Sequence, residues 1–345
     1  MPWSKRSSKK TPAQRQLALR KAIYHAVSHG LTSVQTMDLR EGSWQKTLAD
    51  YKEVLKDLPI FRVYHQCNFM HKASFEEFIK EGYHTGVSDD LHKIGPLKLF
   101  IDGSLGARTA LMRSPYHDDP STSGIATLSQ DELDELVMLA DAHKIKVATH
   151  AIGDGGIEMV IDSYAKVTGK LNDLRHAIIH VRITDQPLLQ RMADLDILAK
   201  IQPIFLHYDT SIVEDRVGKK LASTSYAFAS MHRLGMHVSL GTDSPVEDLD
   251  PFANIYCAIT RKNLNGEPQD GFYKEEALTL TQAIDDYTIG SAYDEFIKLK
   301  KGRLKEGHLA DLVILDQDLF DIAPKDILKT KVLATMVDGN FVYEA

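Results

Sequence analysis

The stretch KVATHAIGDGGIEMVIDSYAKVTGKLNDLRHAIIH, Lys146–His180, decides how this chain is read. It opens on a short apolar run, Lys146-Val147-Ala148-Thr149-His150, and closes on another, His176-Ala177-Ile178-Ile179-His180. Between them lies a helix-patterned segment near Gly156–Val167. Two strands joined through one helix pair in parallel, because parallel neighbours need a crossover of about this length. Both strands finish on a histidine, at positions 150 and 180, thirty residues or one βα unit apart. A single strand-end histidine is ordinarily a packed residue. Two at equivalent ends point to a shared site, since neighbouring strand ends converge and imidazole is a common Zn²⁺ ligand. By strand period His176 shares a face with His180 but lies deeper, which makes it a packed or hydrogen-bonded residue.

The alternation continues in both directions. Upstream, helices near Arg15–Ser28, Trp44–Lys56 and Ser74–Glu81 precede strands Thr32–Met37, Phe61–His65 and Leu97–Asp102. A Gly/Ser/Pro-rich loop, Gly103–Thr127, follows. Ser129 and Glu132 then form a capping box, and Leu133, Leu136, Val137 and Ala140 mark one apolar helix face. Downstream come a helix at Pro187–Asp194, a strand at Leu198–Gln202, a helix near Tyr226–Leu234 and a strand at His237–Gly241. About seven βα units imply an α/β fold, a barrel or a doubly wound sheet with helices outside. A closed (β/α)₈ barrel needs one more strand. After about Lys300 the pattern changes to short strands at Leu309–Leu315, Val332–Val337 and Asn340–Tyr343, with Asp338-Gly339 as a hairpin signal. This reads as a small C-terminal β appendage.

With 345 residues, 43% hydrophobic and 26% charged, the chain can bury a sizeable core, which excludes disordered, collagen-like and coiled-coil classes. No apolar run approaches the ~18–20 residues of a membrane span. A net charge of −7 argues against a general nucleic-acid binder and leaves a small molecule as the expected substrate. Cys67 and Cys257 are too few for a disulfide framework or a thiolate metal site. Residues 1–14 read as a basic solvated tail without the apolar core of a signal peptide, so the cytoplasm is the expected compartment.

In parallel βα folds chemistry sits where strands end. Lys98 lies in an apolar strand, where a lysine is unfavourable unless its charge is removed, paired or carried to the rim. Asp243 follows the strand Val238-Ser239-Leu240-Gly241. It either caps the next turn or, beside the two histidines, binds metal or takes a proton from a metal-activated water. His207 lies near the expected mouth and His65 ends a strand, whereas His117, His143, His232 and His308 read as surface residues. Gly153, Gly155 and Gly156 do not have phosphate-loop spacing and read as a tight turn.

Taken together, Lys98, Asp102-Gly103-Ser104-Leu105-Gly106-Ala107-Arg108-Thr109-Ala110, His150-Ala151-Ile152-Gly153-Asp154, His180 and Gly241-Thr242-Asp243-Ser244-Pro245 resemble the amidohydrolase superfamily, nearest its amidohydrolase-3 branch. The tail Gly302–Leu315 is similar to that family too, and the likeness spans roughly residues 15–345. The resemblance implies a (β/α)₈ TIM-type barrel over residues 15–298, with part of a β-sandwich over 299–345. It implies that Lys98 is a carboxylated, metal-bridging lysine and that His150 and His180 are metal ligands. Asp243 becomes a ligand and general acid/base. Asp102, Arg108, Asp154 and His207 become substrate contacts or loop residues. The implied cofactor is a divalent metal, Zn²⁺ first, with Mn²⁺, Fe²⁺ or Ni²⁺ also suited to such donors. The implied reaction is hydrolysis of a non-peptide C–N bond in an amide, cyclic amide or amidine-like molecule.

The family also carries a His-x-His pair at the end of its first barrel strand, and that spacing is missing from this sequence. His25 and His29 are four apart on an expected helix and do not replace it. The expectation is therefore a barrel lacking its first strand, with one metal or none instead of two. Three alternatives stay open: a shortened hydrolase, a weak or inactive scaffold for binding or regulation, or a strand supplied by another chain. Open sheet edges predict a homo-oligomer. The loops Gly103–Thr127 and Phe205–Ser225 carry no readable substrate code.

Overall fold

Seven short runs pair side by side in chain order in the computed structural model, which describes residues 10–169 and 171–345. They are β1 (Ser33–Arg40), β2 (Arg62–Asn68), β3 (His92–Phe100), β4 (Val147–Ala151), β5 (Ala177–His180), β6 (Leu198–Ile201) and β7 (Val238–Leu240). Every pairing is parallel. The crossovers carry helices, among them α1 (Pro12–Ser28) ahead of β1, α2 (Trp44–Asp57), α3 (Lys72–Lys80), α4 (Gln130–Ala142), α5 (Asp154–Tyr164) and α6 (Gln186–Asp194). No helix among the described residues is long and apolar enough to cross a membrane. Residues 1–9 of the expected tail lie outside the described residues.

Local chemistry sets the helix starts. The Ser129 side chain accepts from the Glu132 N–H while Glu132 accepts from the Ser129 N–H, so α4 begins where the capping box placed it. A second box, Thr11 with Gln14 and Pro12 at the first turn, starts α1 three residues ahead of the expected Arg15. β3 also starts earlier than expected, running through Gly95-Pro96. Its ladder with β2 shifts register between His65↔Ile94 and Cys67↔Leu97, and that bulge accommodates the proline. The segment Phe205–Ser225, expected as a loop, is largely helical, with turns at Leu206–Asp209 and Val213–Ala222, the second interrupted at Gly218 (φ 74°).

The sheet curls, because side chains from strands far apart in its order meet on one residue. Asp294, fully buried, accepts from Gln35 of β1 at 2.7 Å and from Lys200 of β6 at 3.1 Å. It also pairs with Lys146, whose Nζ lies 2.9 Å from the Asp294 carbonyl oxygen. Next to this charged layer Ala148, Ala177, Ile179 and Leu198 form a small apolar cluster on the inner face.

The C-terminal segment forms an antiparallel sheet, β8 (Leu312–Leu315), β9 (Val332–Val337) and β10 (Asn340–Glu344), in the order β10-β9-β8. β8 begins at Leu312 instead of Leu309. Asp338 (φ 52°) and Gly339 (φ 78°) make the turn between β9 and β10, with the positive angles a two-residue hairpin requires. This sheet docks on α1 through Thr335 Oγ1, which donates to the Val27 carbonyl at 2.7 Å, and on β2 through the Arg62–Asp311 ion pair at 2.7 Å.

Candidate metal centre

His150 closes β4 opposite Phe100 in the β3 ladder, their rings 5.2 Å apart. Lys98 stands two residues earlier on the same face, its Nζ 4.3 Å from the Phe100 centroid. His180 reaches the site differently. By simple alternation Ile179 faces inward with Ala148 and Ala177, and His180 faces out. Left-handed backbone at His180 (φ 81°) and Val181 (φ 47°) turns the imidazole back, to 4.4 Å from the His150 ring in an edge-to-face arrangement. Such angles at a β-branched residue are strained and persist where the surroundings enforce them. The expected common face for His176 and His180 is thereby corrected. His176 Nδ1 accepts the Val147 N–H at 2.9 Å, and the residue packs against Tyr164.

The second nitrogen of each imidazole is fixed. His180 Nδ1 lies 2.7 Å from Gln202 Oε1, and the Gln202 amide nitrogen donates to the Lys200 carbonyl at 3.0 Å, which orients it. Nδ1 therefore carries the proton and Nε2 the lone pair. His150 Nε2 lies 3.0 Å from the Gly103 carbonyl and 3.2 Å from Asp102 Oδ1, two acceptors, so its free lone pair is on Nδ1. Burial, reinforced by His150, Arg182 and Lys98, holds His180 well below the usual imidazole pKa, and thus neutral.

Burial also lowers the Lys98 pKa to about 7. Lys200 adds to that shift, while Asp243 and Asp102 oppose it. Asp243 (φ 58°) sits at the mouth. Loss of water raises its carboxyl above the ordinary value, against the pull of Lys98, Arg182 and His150. His150 and His180 stand side by side and Lys98 acts electrostatically on His180 and Asp243, but among the described residues the donor atoms of His150, His180 and Asp243 do not all lie within 4.8 Å of one another. Two imidazoles, each with one nitrogen held by an acceptor and the other left for an ion, a carboxylate and a lysine of lowered pKa are the donor types a divalent ion takes.

The remaining sequence candidates hold the surrounding loops. Asp102 is buried and accepts the Leu111, Ile152 and Gly153 N–H groups at 3.0, 3.1 and 2.8 Å. Gly153 and Gly156, expected as a tight turn, instead stand at the start of α5, where the long loop passes close. A Cβ on Gly153 would lie 2.0 Å from the Leu111 carbonyl oxygen, and one on Gly156 2.8 Å from Asp102 Oδ2. Asp154 accepts from Arg113 at Nε (2.8 Å) and at the backbone N–H (2.9 Å). Arg108 pairs with Asp118 at 2.9 Å. His207 Nδ1 accepts the Leu264 N–H at 3.2 Å. His65 is fully buried between Tyr51 and His92.

Two residues escaped the sequence reading. Gln202 directly follows β6, the strand beside that of His180, and a polar residue at that strand end is its only signal. Arg182, two residues after His180, donates to Asp209 at 2.9 Å, stacks 3.7 Å over Phe205 and keeps its Nε buried without a partner among the described residues.

A model of the amidohydrolase family matches residues 3–343. The protein YtcJ of Bacillus subtilis (strain 168), an amidohydrolase by provisional name, is 34% identical over 252 residues, 73% of this chain and 47% of that protein. The N-substituted formamide deformylase of Arthrobacter pascens is 28% identical over 253 residues, 72% of this chain and 46% of that protein. The chain thus spans about half the length of these curated relatives. The crystal structure of an uncharacterized metal-dependent hydrolase from Pyrococcus horikoshii OT3 superposes with a TM-score of 0.81 at 27% identity, over 92% of this chain and 62% of that one.

Proposed function

We infer the function from one premise: this chain belongs to the amidohydrolase family. The proposed activity is metal-dependent hydrolysis of a non-peptide C–N bond in a small amide, cyclic amide or amidine-like molecule. One observation carries it, the pair of imidazoles at adjacent strand ends, each with its second nitrogen locked on an acceptor. In this reading His150 Nδ1, His180 Nε2, the Asp243 carboxylate and Lys98 hold the ion, with Zn²⁺ the first choice. An ion held by these residues would supply Lewis acidity, lowering the pKa of a water and polarising the scissile bond.

Asp243 takes the proton of the attacking water and passes it to the leaving nitrogen, a role suited to a carboxyl raised above its usual value at an open mouth. A Lys98 pKa of about 7 leaves a large neutral fraction near neutral pH. Its neutral Nζ forms a bond to the carbon of CO₂ and releases a proton, giving an anionic carbamate ligand. Asp102 holds His150 in the required tautomer. A substrate contact from Arg108, Asp154 or His207 requires release of Asp118, Arg113 or the Leu264 N–H. A cytoplasmic setting for the two buried free cysteines and a second copy along the sheet edge belong to the same reading. Light scattering tests the second copy.

Elemental mass spectrometry and turnover of a panel of N-formyl and cyclic amides test the assignment. His150→Ala/His180→Ala is expected to lose the metal of this site, and activity with it. Asp243→Asn is expected to keep its fold and lose about 10²–10⁴-fold in kcat. Metal content unchanged in the double variant refutes the site.

A further inference from the structure

We propose a second divalent-metal site, sharing no donor with the first, made by His25 and His29 of α1 and Asp248 of the segment after β7. One donor atom from each of the three lies within 4.8 Å of the other two. Among the described residues no other group of three His, Cys, Asp or Glu donors stands this close. A tetrahedral Zn²⁺ site with bonds of about 2.0–2.2 Å brings its ligand atoms roughly 3.3–3.5 Å apart. His25 and Asp248 are exposed, so no packed neighbour has to move for their donors to draw closer.

The local architecture favours the ion. His25 is in the last turn of α1 and His29 caps it, so the pair has the i,i+4 helical spacing that presents two imidazoles on one face. Their rings stand 4.4 Å apart, edge to face. His29 Nδ1 lies 2.8 Å from the His25 carbonyl oxygen, which only accepts, so Nδ1 bears the proton and Nε2 is left to coordinate. Asp248 Oδ1 accepts the Leu249 N–H at 2.6 Å, which leaves Oδ2 free. A cation here also meets the negative end of the α1 dipole. Two nitrogens and one carboxylate select a Zn²⁺-class ion over Ca²⁺ or Mg²⁺, which take oxygen shells.

The placement gives the site a purpose. α1 leads into β1 and Asp248 follows β7, and these are the two terminal strands of the seven-stranded order. One ion would clip the two ends of the curled sheet together and anchor the segment that begins at Asp243.

The test uses the full chain stripped of metal and titrated with Co²⁺ as a spectroscopic probe, then with Zn²⁺ against a chromophoric chelator. The expected result is one equivalent of Co²⁺ absorption that persists in His150→Ala/His180→Ala and is lost in both His25→Ala/His29→Ala and Asp248→Asn. Zn²⁺ affinity at this site should fall at least tenfold in the latter two variants. The Zn²⁺-induced rise in melting temperature should shrink with it. Circular dichroism checks that these largely surface changes leave the fold intact. The same stoichiometry and affinity in His25→Ala/His29→Ala overturn the site. Loss in that variant but not in Asp248→Asn reduces it to a histidine pair and overturns the clip.

Discussion

Replacing Asp294 with asparagine is the sharpest test of what holds the curl of the sheet at its lower end. Asp294 is fully buried and faces Lys146, Lys200 and Gln35. Burial alone would push its carboxyl up, but the two ammonium groups overcome that and hold it far below the usual range. Asparagine conserves volume, so no cavity opens, and the loss is electrostatic. It leaves Lys146, fully buried, and Lys200, nearly so, without their anion. Breaking a buried pair by removing one partner is destabilising by about 3–5 kcal/mol. With an unfolding entropy of ~2.1 cal/mol/K per residue, a chain this long should melt about 4–7 °C lower.

The penalty should depend on pH in a set direction. Burial lowers the Lys146 pKa to about 8 even with Asp294 present. An amine whose folded pKa lies below its unfolded value of ~10.4 destabilises at lower pH and recovers as pH rises through that window. Loss of the anion lowers the folded value further and widens the window. The variant should therefore recover part of its deficit as the pH rises toward about 8, where the parent's own Lys146 starts to lose its proton. Calorimetry across pH measures both quantities. A loss under about 1 kcal/mol at pH 7, or a deficit that grows with pH, refutes the assignment of Asp294 as the counter-charge of the two lysines.

Two further changes probe the candidate metal centre through its supports. Gln202→Leu removes the acceptor that fixes His180 Nδ1, and metal affinity should fall about 10–100-fold in a chelator competition, with an unchanged affinity counting against the tautomer assignment. Gly153→Ala forces a Cβ to 2.0 Å from the Leu111 carbonyl, so urea titration should show a loss of about 1–3 kcal/mol, where the ordinary Gly-to-Ala effect at an unstrained position is a small gain. A neutral or stabilising result would mean that the loop does not pack on α5 as described.

What the sequence makes legible follows from how local its causes are. Strand–helix alternation, the Ser129–Glu132 box and the Asp338-Gly339 turn are each written within a few residues, and the corresponding elements form there. Strand-end position is also local, which is why Lys98, His150, His180 and Asp243 stood out together. Conformations that break a period are harder to see. Gly95-Pro96 reads as punctuation, yet a bulge carries β3 through it. His180 reaches the site only through two left-handed residues that no alternation rule anticipates. Long-range charge pairing leaves no local trace at all. Nothing near Lys146 announces Asp294, and nothing near Asp248 announces the two α1 histidines.

The two charged regions inside the sheet are not independent. Lys98, Lys146 and Lys200 sit on or beside the same curled surface, with the thin cluster of Ala148, Ala177, Ile179 and Leu198 nearby. Asp294 offsets Lys146 and Lys200 directly, whereas the Lys98 ammonium rests against the Phe100 ring. Lys98 consequently responds to burial first, and then to the balance between the Lys200 charge on one side and Asp243 and Asp102 on the other. Because Asp294 shields part of the Lys200 field, removing it exposes Lys98 to more positive charge and drives the amine further toward its neutral form. Asp294 would then act on Lys98 through Lys200, without touching it.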